Sequence, residues 1–345
     1  MTAHTVQAPA PVLSTDRTVP KQLVHKRAVE QVLTTAVARA GDRLLGSAQL
    51  PRLHRHYNDT TVPYFDLLLV GEAARQTVEA IVHELLEVPL DSRFVLSDLR
   101  IEFTDPEAVR IPRVPADLLV ELHVARLRRR RDGSVRTLEG TALCRIGDRE
   151  AARFSGTLLF LAADAYEILR TDDALPGEPL PKEPMPGKPM PGEPVRATNP
   201  ARADPPSVGR NDPRNVVIGG LRTNGAEAEA DLVFDPDDPV FFDHPLDHLP
   251  GMLLLEAGRQ LALATWSHIH RVPATRLLAT SCHARFQEFA DLADPVVCRA
   301  RLTPDSTVEV VVEQRGTTAA LLEIAVVSVP DPPDGAGEPE PKDTS

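Results

Sequence analysis

Two apolar segments of this chain carry the same three polar residue types at the same spacing. These are Glu72, Arg75 and Gln76 in the first segment and Glu256, Arg259 and Gln260 in the second. Corresponding residues lie 184 positions apart (256 − 72 = 184). Residues three and four positions apart share one face of an α-helix, so each segment predicts a helix that presents Glu, Arg and Gln together. The repetition indicates a duplicated fold unit with chemistry at its centre.

Each unit is predicted to contain one long helix followed by about four antiparallel strands, an α+β arrangement. The first helix is expected from Leu67 to about Leu86 with Asp66 as its cap, and it is apolar on most faces, as a buried helix is. The second is expected from Pro250, at the first helical position, to about His270. Alternating or β-branched patterns predict strands at 94–103, 118–127, 134–146, 151–161, 216–218, 228–233, 276–286, 296–302, 307–313 and 319–329.

Segments of different composition separate these units. The predicted organisation is a disordered tail (1–20), a first unit (21–170), a linker (171–206), a second unit (207–329) and an acidic, Pro-rich tail (330–345). Within the linker, residues 179–194 repeat every five positions with Pro at the first and third. This pattern favours polyproline II and a semi-rigid spacer, with a ligand for a proline-binding domain as the alternative.

Charge and composition narrow the functional classes. The net charge of −12 over 345 residues argues against nucleic acid as the main partner. Cys144, Cys282 and Cys298 are few and widely spaced, which fits a reducing cytosol. The N-terminus lacks the pattern of a secretory signal, and Glu256 and Arg259 interrupt the longest apolar stretch, so we predict no membrane span and a cytoplasmic protein. No metal-binding or nucleotide-binding motif has a convincing setting, so we predict no metal and no cofactor.

A Glu inside a Leu-rich helix is expected to be desolvated. Desolvation would raise the pKa of Glu72 or Glu256 towards neutrality and suit a general base, although a neighbouring Arg opposes that shift. The alternative is a buried Glu–Arg pair that only orders the core. Arg75 and Arg259 present forked donors that suit a phosphate or a carboxylate, or else they pair with the nearby Glu.

The segment before the second helix holds further candidates. Gly251 lies at the helix start, where free N–H groups favour negative charge, or it simply forms a Pro-Gly turn. Leu67 takes the corresponding position in the first unit, so the two sites are expected to be unequal. His244 and His248 flank the turn and either bind a substrate or brace the loop. His54 and His56 lie in the matching loop of the first unit.

The segment from residue 241 to 260, FFDHPLDHLPGMLLLEAGRQ, resembles a known helix motif. A Pro-Gly pair, an apolar run, Glu256 and Gln260 are similar to the hotdog β-hydroxyacyl-carrier-protein dehydratases. Arg75 and Arg259 do not belong to that pattern. Together with VHK (24–26), HYNDTTVPYFDLLLVGEAARQ (56–76) and VGRNDPRNVVI (208–218), they resemble the A-factor biosynthesis (AfsA) family of γ-butyrolactone synthases. The resemblance covers residues 20–165 and 207–329.

The resemblance implies two hotdog units in tandem that pair within one chain as a hotdog dimer does, without excluding a homo-oligomer. It implies transfer of a β-ketoacyl group from an acyl-carrier-protein or coenzyme A thioester to the hydroxyl of dihydroxyacetone phosphate. Family members' functional residues fall on Glu72, Glu256 and Arg259. Substrate-binding candidates are Arg75, Gln76, His244, His248, Gly251 and Gln260.

Within this hypothesis, Glu256 or Glu72 acts as the base, the Gly251 N–H stabilises the oxyanion and Arg259 anchors the phosphate or carboxylate. Since sites of hotdog dimers lie between subunits, Glu72 is expected to face the loop from His244 to Gly251. A GxSxG motif is absent and no Cys lies in either helix motif, so the sequence does not indicate an acyl-enzyme.

Other functions remain open at the level of the sequence. The dehydratase His lies eight residues before the Pro, whereas His244 lies six and His248 two residues before Pro250. This difference in spacing weighs against dehydration. The rivals are a hotdog thioesterase or dehydratase that acts on acyl thioesters, and a non-catalytic binder of acyl carrier protein or of a butyrolactone. The basic run Arg128–Arg131 either docks an acidic acyl carrier protein or guards a hairpin edge with charge.

Overall fold

The computed structural model describes residues 13–171, 200–244 and 246–330. The predicted proline repeat at 179–194 and nearly all of the predicted acidic tail lie outside the described residues. Within the described ranges, the helices are α1 (Leu67–Leu86), α2 (Ala163–Thr171) and α3 (Gly251–His270). The strands are β1 (Thr34–Ala40), β2 (Arg43–Leu50), β3 (Arg93–Phe103), β4 (Ala116–Arg129), β5 (Val135–Ile146), β6 (Arg149–Leu161), β7 (Ile218–Asn224), β8 (Glu227–Leu232), β9 (Leu277–Phe286), β10 (Val296–Leu302), β11 (Thr307–Gln314) and β12 (Thr317–Ser328).

All these strands form one antiparallel sheet in the order β1-β2-β4-β5-β6-β3-β9-β12-β11-β10-β8-β7. From its outer edge to the centre of the sheet, each half has the same strand order. The two strands that precede the central helix come first, then the last three strands of the unit, then the strand that directly follows the helix. The halves join where β3 pairs with β9, with Asp98 opposite Arg285 and Glu102 opposite Ser281. The predicted duplication and α+β class are confirmed, and the two units share one continuous sheet.

Helices α1 and α3 lie against the concave side of their own half-sheets and form the centre of the core. Leu68, Leu69 and Ile81 of α1 and Leu253 and Leu261 of α3 are at most 1% exposed. Burying a side chain of this size contributes about 1.5–3 kcal/mol, so the helix–sheet contact dominates the stability of each unit. Both helices end in a left-handed residue at corresponding positions, Glu87 (φ 59°) and Arg271 (φ 58°).

Most predicted elements are confirmed. The bounds of α1 agree at both ends, and the eight strands that follow the helices agree within two residues. Asp66 caps α1 by accepting from the Leu68 N–H at 2.8 Å, whereas Pro250 proves to be the cap of α3 and Gly251 its first helical residue. Sequence reasoning missed β1 (TTAVARA) and β2 (RLLGSAQL), in which several Ala, a Gly and polar residues interrupt the residues typical of strands. It also missed α2.

The structure extends each unit beyond its predicted start. Residues 13–20, assigned above to a tail, include Val19, which is buried and donates its N–H to Thr34 O. Residues 200–206, assigned to the linker, include Ala203, whose N–H donates to Ile218 O at 2.9 Å. Both segments add backbone pairing beside the first strand of their unit. Within the described ranges, no helix combines the length and apolarity needed to cross a membrane.

Candidate functional site

Two polar clusters lie on the central helices, one around Glu72 (the first cluster) and one around Glu256 (the second cluster). In each, the Glu carboxylate accepts hydrogen bonds from the Arg one turn later, at 2.8 Å from both Nε and Nη2. The Gln four residues after each Glu donates to the same carboxylate. The expectation that Glu, Arg and Gln act on one helix face is therefore met in both units.

Each Gln also ties its helix to the segment that precedes the first strand. Gln76 accepts from Leu33 N–H and donates to Gln31 O, both at 2.8 Å. Gln260 makes the same two bonds with the residues 184 positions later, accepting from Val217 N–H at 2.9 Å and donating to Asn215 O at 2.8 Å. Both amides are fully buried and bonded within the protein, so each holds its central helix against the segment before the first strand. Their contact with substrate stays a prediction.

A fourth member of each cluster was missed from the sequence. Lys26 Nζ lies 3.2 Å from Glu72 Oε1, and Arg210 Nη2 lies 2.7 Å from Glu256 Oε1. Each cation stands 46 residues before its Glu (72 − 26 = 256 − 210 = 46) and follows a left-handed residue. The signal was present in VHK and VGR, the segments that carried the family resemblance, but it appears only when both are aligned by the 184-residue offset.

The second cluster is closed. Glu256 and Arg210 have no exposed side-chain area, and Arg259 has 5%. Asp66 completes the cluster, with its Oδ2 3.6 Å from Arg210 Nη1 and 3.8 Å from Arg259 Nε, so two buried carboxylates balance two guanidinium groups. A buried set of carboxylates and guanidinium groups that pair with one another agrees with the alternative that the Glu–Arg pair orders the core.

Electrostatics in the second cluster follow from this arrangement. Burial raises the pKa of Glu256, but the charges of Arg210 and Arg259 outweigh burial and leave the pKa below its ordinary value. His56 Nε2 lies 4.0 Å from Glu256 Oε2, and burial lowers the pKa of His56 to about 3, so the imidazole is neutral. The carboxylate is therefore ionised and fully engaged.

The first cluster is partly open to solvent. The side chain of Arg75 is 21% exposed and that of Lys26 13%, while Glu72 is 3% exposed. Arg75 shares its guanidinium between Glu72 and the buried Glu79. Burial raises the pKa of Glu72, but Arg75 and Lys26 outweigh it and lower the pKa. The expectation of a Glu pKa near neutrality is therefore wrong for both clusters, because two cations rather than one Arg contact each carboxylate.

The loop before α3 reaches the first cluster from the second unit. Asp243 accepts from the Arg27 N–H at 2.8 Å, and the next residue, His244, bonds Asp243 Oδ1 through Nδ1 at 2.5 Å. Arg27 directly follows Lys26, so Asp243 and His244 lie close to the segment whose Lys26 pairs with Glu72. In return, the first-unit loop lies on the second cluster, where Arg210 donates to His56 O at 2.8 Å.

His248 and His54 differ in their surroundings. His248 bonds Asp247 Oδ1 at 2.7 Å, contacts the Tyr166 hydroxyl at 3.3 Å and packs on the Phe289 ring, which matches the bracing alternative. His54 is largely buried; burial lowers its pKa to about 4, and the carboxylate of Glu72 opposes that shift. The charge of Glu72 in the first cluster thus acts on His54.

The N-termini of the two central helices are chemically unequal. Asp66 caps α1, whereas Pro250, 184 residues later, provides α3 with no side-chain cap. Gly251 stands at the position of Leu67, as the sequence predicted. An uncapped helix start with a residue that lacks a side chain leaves N–H groups accessible to an anionic ligand.

The three cysteines are separate from both clusters. Cys144, Cys282 and Cys298 are buried, free thiols, and burial raises the pKa of each to about 12. Thiols that stay protonated are poor nucleophiles. The reactive groups that the clusters can offer are therefore carboxylates, cations and imidazoles.

A family model described as the A-factor biosynthesis hotdog domain (AfsA) matches residues 7–162 and 193–326. This chain belongs to that family. The paired match confirms the two hotdog units and the resemblance found in the sequence.

Curated relatives of this A-factor biosynthesis protein carry the name 2-oxo-3-(phosphooxy)propyl 3-oxoalkanoate synthase. The protein from Streptomyces virginiae is 31% identical over 312 residues, which cover 87% of this chain and 95% of that protein. The one from Streptomyces griseus is 29% identical over 303 residues, with coverages of 86% and 91%. The one from Streptomyces coelicolor is 28% identical over 315 residues, with coverages of 88% and 90%.

Solved structures with a similar fold have lower sequence identity to this chain. A dehydratase domain of a trans-AT polyketide synthase from Brevibacillus brevis has 12% identity and a TM-score of 0.48, and covers 86% of this chain and 98% of that chain. The 12:0-ACP thioesterase from Umbellularia californica has 10% identity and a TM-score of 0.43, with coverages of 82% and 97%.

Proposed function

We propose that this chain transfers a 3-oxoacyl group from a thioester to the free hydroxyl of dihydroxyacetone phosphate. The product named by the relatives, a 2-oxo-3-(phosphooxy)propyl 3-oxoalkanoate, is the ester of a 3-oxo acid with that acceptor. The observation that carries the proposal is the match to such synthases through most of both chains, including the helices that bear both clusters.

The reaction balances without an acyl-enzyme. The acceptor hydroxyl oxygen attacks the thioester carbonyl carbon, the C–S bond breaks, and the hydroxyl proton passes through a base to the departing thiolate. The leaving thiol belongs to an acyl carrier protein or to coenzyme A. Since the cysteines are buried and protonated, direct attack under proximity and base catalysis is the simplest route. Both proposed donors, the acyl-carrier-protein and the coenzyme A thioester, and the acceptor occur in the cytoplasm, so we place the enzyme there.

We assign the chemistry to the first cluster. The second cluster contains Asp66 against Arg210 and Arg259, which fills the space next to its cations with a protein carboxylate. By the 184-residue correspondence, Pro250 takes the place of Asp66 beside Lys26 and Arg75, and it brings no charge. A substrate anion can therefore occupy in the first cluster the position that Asp66 occupies in the second.

This assignment gives the residues distinct roles. Lys26 and Arg75, the two partly exposed cations, bind the phosphate of the acceptor. Drawing these cations towards phosphate weakens their hold on Glu72 and raises its basicity, so Glu72 becomes a competent base only with the acceptor bound. The Gly251 N–H stabilises the developing oxyanion, and His244 approaches from the same loop.

Glu256 and Arg259 act as a frame in this proposal, in contrast to the catalytic roles that the resemblance implied for them. Arg210, held by Glu256, donates to the carbonyls of His56 and Tyr57 at 2.8 and 3.4 Å. The same loop carries His54, on which the charge of Glu72 acts. Loss of either frame residue therefore disturbs the first cluster through this loop, and a requirement for Glu256 in activity does not need direct contact with substrate.

Mass spectrometry of purified protein with a 3-oxoacyl thioester, with and without dihydroxyacetone phosphate, tests the proposed function. The expected product is the acyl ester of the acceptor, or the butenolide formed from it by cyclisation, seen only when the acceptor is present. Free 3-oxo acid at equal rates in both mixtures would instead identify a thioesterase. An unchanged thioester with several acyl lengths, despite a shift in Tm on adding it, would identify a binding protein.

A further inference from the structure

The hairpin between β4 and β5 is strongly basic. Residues 126–136, here called the basic hairpin, contain six Arg and one Asp, a local charge of +5 in a chain whose net charge is −12. Exposed members are Arg126, Arg128, Arg129, Arg131 and Arg136. Among the described residues, a carboxylate within ion-pair distance is found for Arg126, which lies 3.8 Å from Glu139, and not for the other four. The hairpin therefore presents uncompensated positive charge.

The matching hairpin of the second unit shows that the fold does not require this charge. Between β10 and β11 the turn contains Asp305, and the nearby Arg299 and Arg301 pair with Glu side chains on neighbouring strands. Both hairpins close antiparallel strands equally well. Because the positive charge is confined to one of two equivalent turns, it indicates a role outside folding. This observation weighs against the alternative that the charge only guards a hairpin edge.

A continuous series of contacts joins the basic hairpin to the first cluster. Arg130 donates to Phe160 O at the end of β6. The Phe160 ring packs edge-on against Phe94 at 4.7 Å between centroids, and Phe94 contacts the His25 ring at 4.7 Å. His25 directly precedes Lys26, which pairs with Glu72. The hairpin and the first cluster are thus connected through ring contacts, in which Phe160 is buried at 1% exposure.

We propose that the basic hairpin is the docking surface for an acidic acyl carrier protein, whose thioester arm runs along Phe94 and His25 to Glu72. This inference rests on the proposed function and specifies its donor. An acidic helix of the carrier complements a +5 surface, and the attraction acts over a Debye length before contact, so it raises the association rate in a salt-dependent manner. In this proposal the thioester arm reaches the first cluster, and the folded part of the carrier protein stays at the basic hairpin.

The test uses the double variant R128E/R131E in the full chain. Its matched control is R17E/R113E, which changes the net charge equally at two exposed Arg near the opposite end of β4. Fluorescence anisotropy measures binding of an acidic 3-oxoacyl carrier protein at about 50 and 300 mM salt. Steady-state transfer is measured in parallel with that donor, with the coenzyme A thioester and with the short N-acetylcysteamine thioester.

The expected result is a loss of ~10-fold or more in carrier affinity and in kcat/KM with the carrier-bound donor. Transfer from the N-acetylcysteamine thioester stays unchanged, and the control behaves as the parent. Equal carrier binding in variant and parent would overturn the docking surface, as would an equal loss in the control. A loss with coenzyme A thioester alone would overturn the protein partner in favour of nucleotide phosphates. Because binding is measured directly, the surface is tested even if no donor supports transfer.

Discussion

Identical residues have different surroundings in the two clusters. Glu, Arg and Gln make the same hydrogen bonds around Glu72 and Glu256. In the second cluster Arg210 is fully buried and Asp66 adds a second carboxylate. In the first cluster Lys26 pairs with Glu72, and Arg75 is shared between Glu72 and Glu79, but both cations are partly exposed. We expect a substrate anion to reach these exposed cations more readily than the buried ones.

The variants Glu72→Gln and Glu256→Gln should therefore fail in different ways. E72Q is expected to lower kcat by ~10²-fold or more with a modest loss of Tm, because Lys26 and Arg75 can turn to solvent and to Glu79. E256Q leaves two buried guanidinium groups with Asp66 alone, which costs about 3–5 kcal/mol. Thermal unfolding and single-turnover transfer of both variants check this. A stable, inactive E256Q together with an active E72Q would return the base role to Glu256.

Lys26→Met tests the phosphate contact. Removing one charge-assisted hydrogen bond is expected to raise KM for dihydroxyacetone phosphate about 10- to 100-fold with a smaller change in kcat. Dihydroxyacetone, which lacks the phosphate, provides the internal control: it should be a poor acceptor for the parent and no worse for K26M. An equal loss with both acceptors would mean that Lys26 acts on Glu72 rather than on phosphate.

At the scale of the element, the two central helices begin differently. Asp66 caps α1 with its side chain and reaches the second cluster, while Pro250 provides α3 with no side-chain cap and carries no charge. Gly251 follows, and a Cβ there would approach the Phe286 ring to 3.3 Å. The helix of the first unit thus contributes a carboxylate to the cluster of the second, and the helix of the second offers none from the matching position.

Pro250→Asp should convert the open cluster into a copy of the closed one. The new carboxylate is expected to cap α3, worth about 0.5–2 kcal/mol, and to approach Lys26 and Arg75. Tm should rise while transfer is lost, because the carboxylate takes the place of substrate. Pro250→Ala provides the control, since it removes the ring without adding an anion and should retain activity. An active P250D enzyme would exclude this position as the place of the substrate anion.

At the scale of the whole molecule, the units depend on each other through the β3–β9 junction and through exchanged loops. Asp243 of the second unit binds the backbone of Arg27, and Arg210 binds the carbonyl of His56 in the first. These contacts place several ionisable side chains in buried positions between the units. Stability of the assembled chain is therefore expected to depend on pH.

Acid should destabilise the protein well above the usual pKa of carboxylates. Burial lowers the pKa of His25 and His54 to about 4, with Arg75, His244 and Arg93 adding to the shift of His25. Above pH 6.5 these His are neutral in both states. Between about pH 6.5 and 4 the unfolded chain binds their protons and the folded chain does not, so stability falls as pH falls. Below about 4.5, Glu72 and Glu256 continue the decline, since their folded pKa values are also lowered.

Thermal unfolding as a function of pH measures this effect. Tm is expected to fall by about 5 °C or more between pH 7 and pH 5. The double variant H25Q/H54Q should reduce the fall in that interval, while His56, whose pKa is also lowered, keeps part of it, and the decline below pH 4.5 should remain. A parent Tm that is constant from pH 7 to pH 5 would show that these His are free to take up protons in the folded state.

Local sequence determined the elements and the repeat. Leu67–Leu86 and the strands after each helix were predictable because apolar periodicity, caps and turn residues act over a few neighbouring positions. The Glu-Arg-Gln sets were predictable for the same reason, since one helical turn joins their members. β1 and β2 were not, because their mixed composition carries no clear alternation, and they form strands through pairing with each other and contact with α1.

Only the tertiary structure decided which cluster is open and how its carboxylate is charged. Lys26, Arg210 and Asp66 reach the clusters from other segments, and their distance along the chain gives no local signal of contact. The direction of the Glu72 pKa shift depends on how many cations lie around the carboxylate, and the periodicity of the sequence carries no information on that number. Burial, charge balance and access are sums over neighbours brought together by folding, and so they could be read only once the two halves of the sheet were joined.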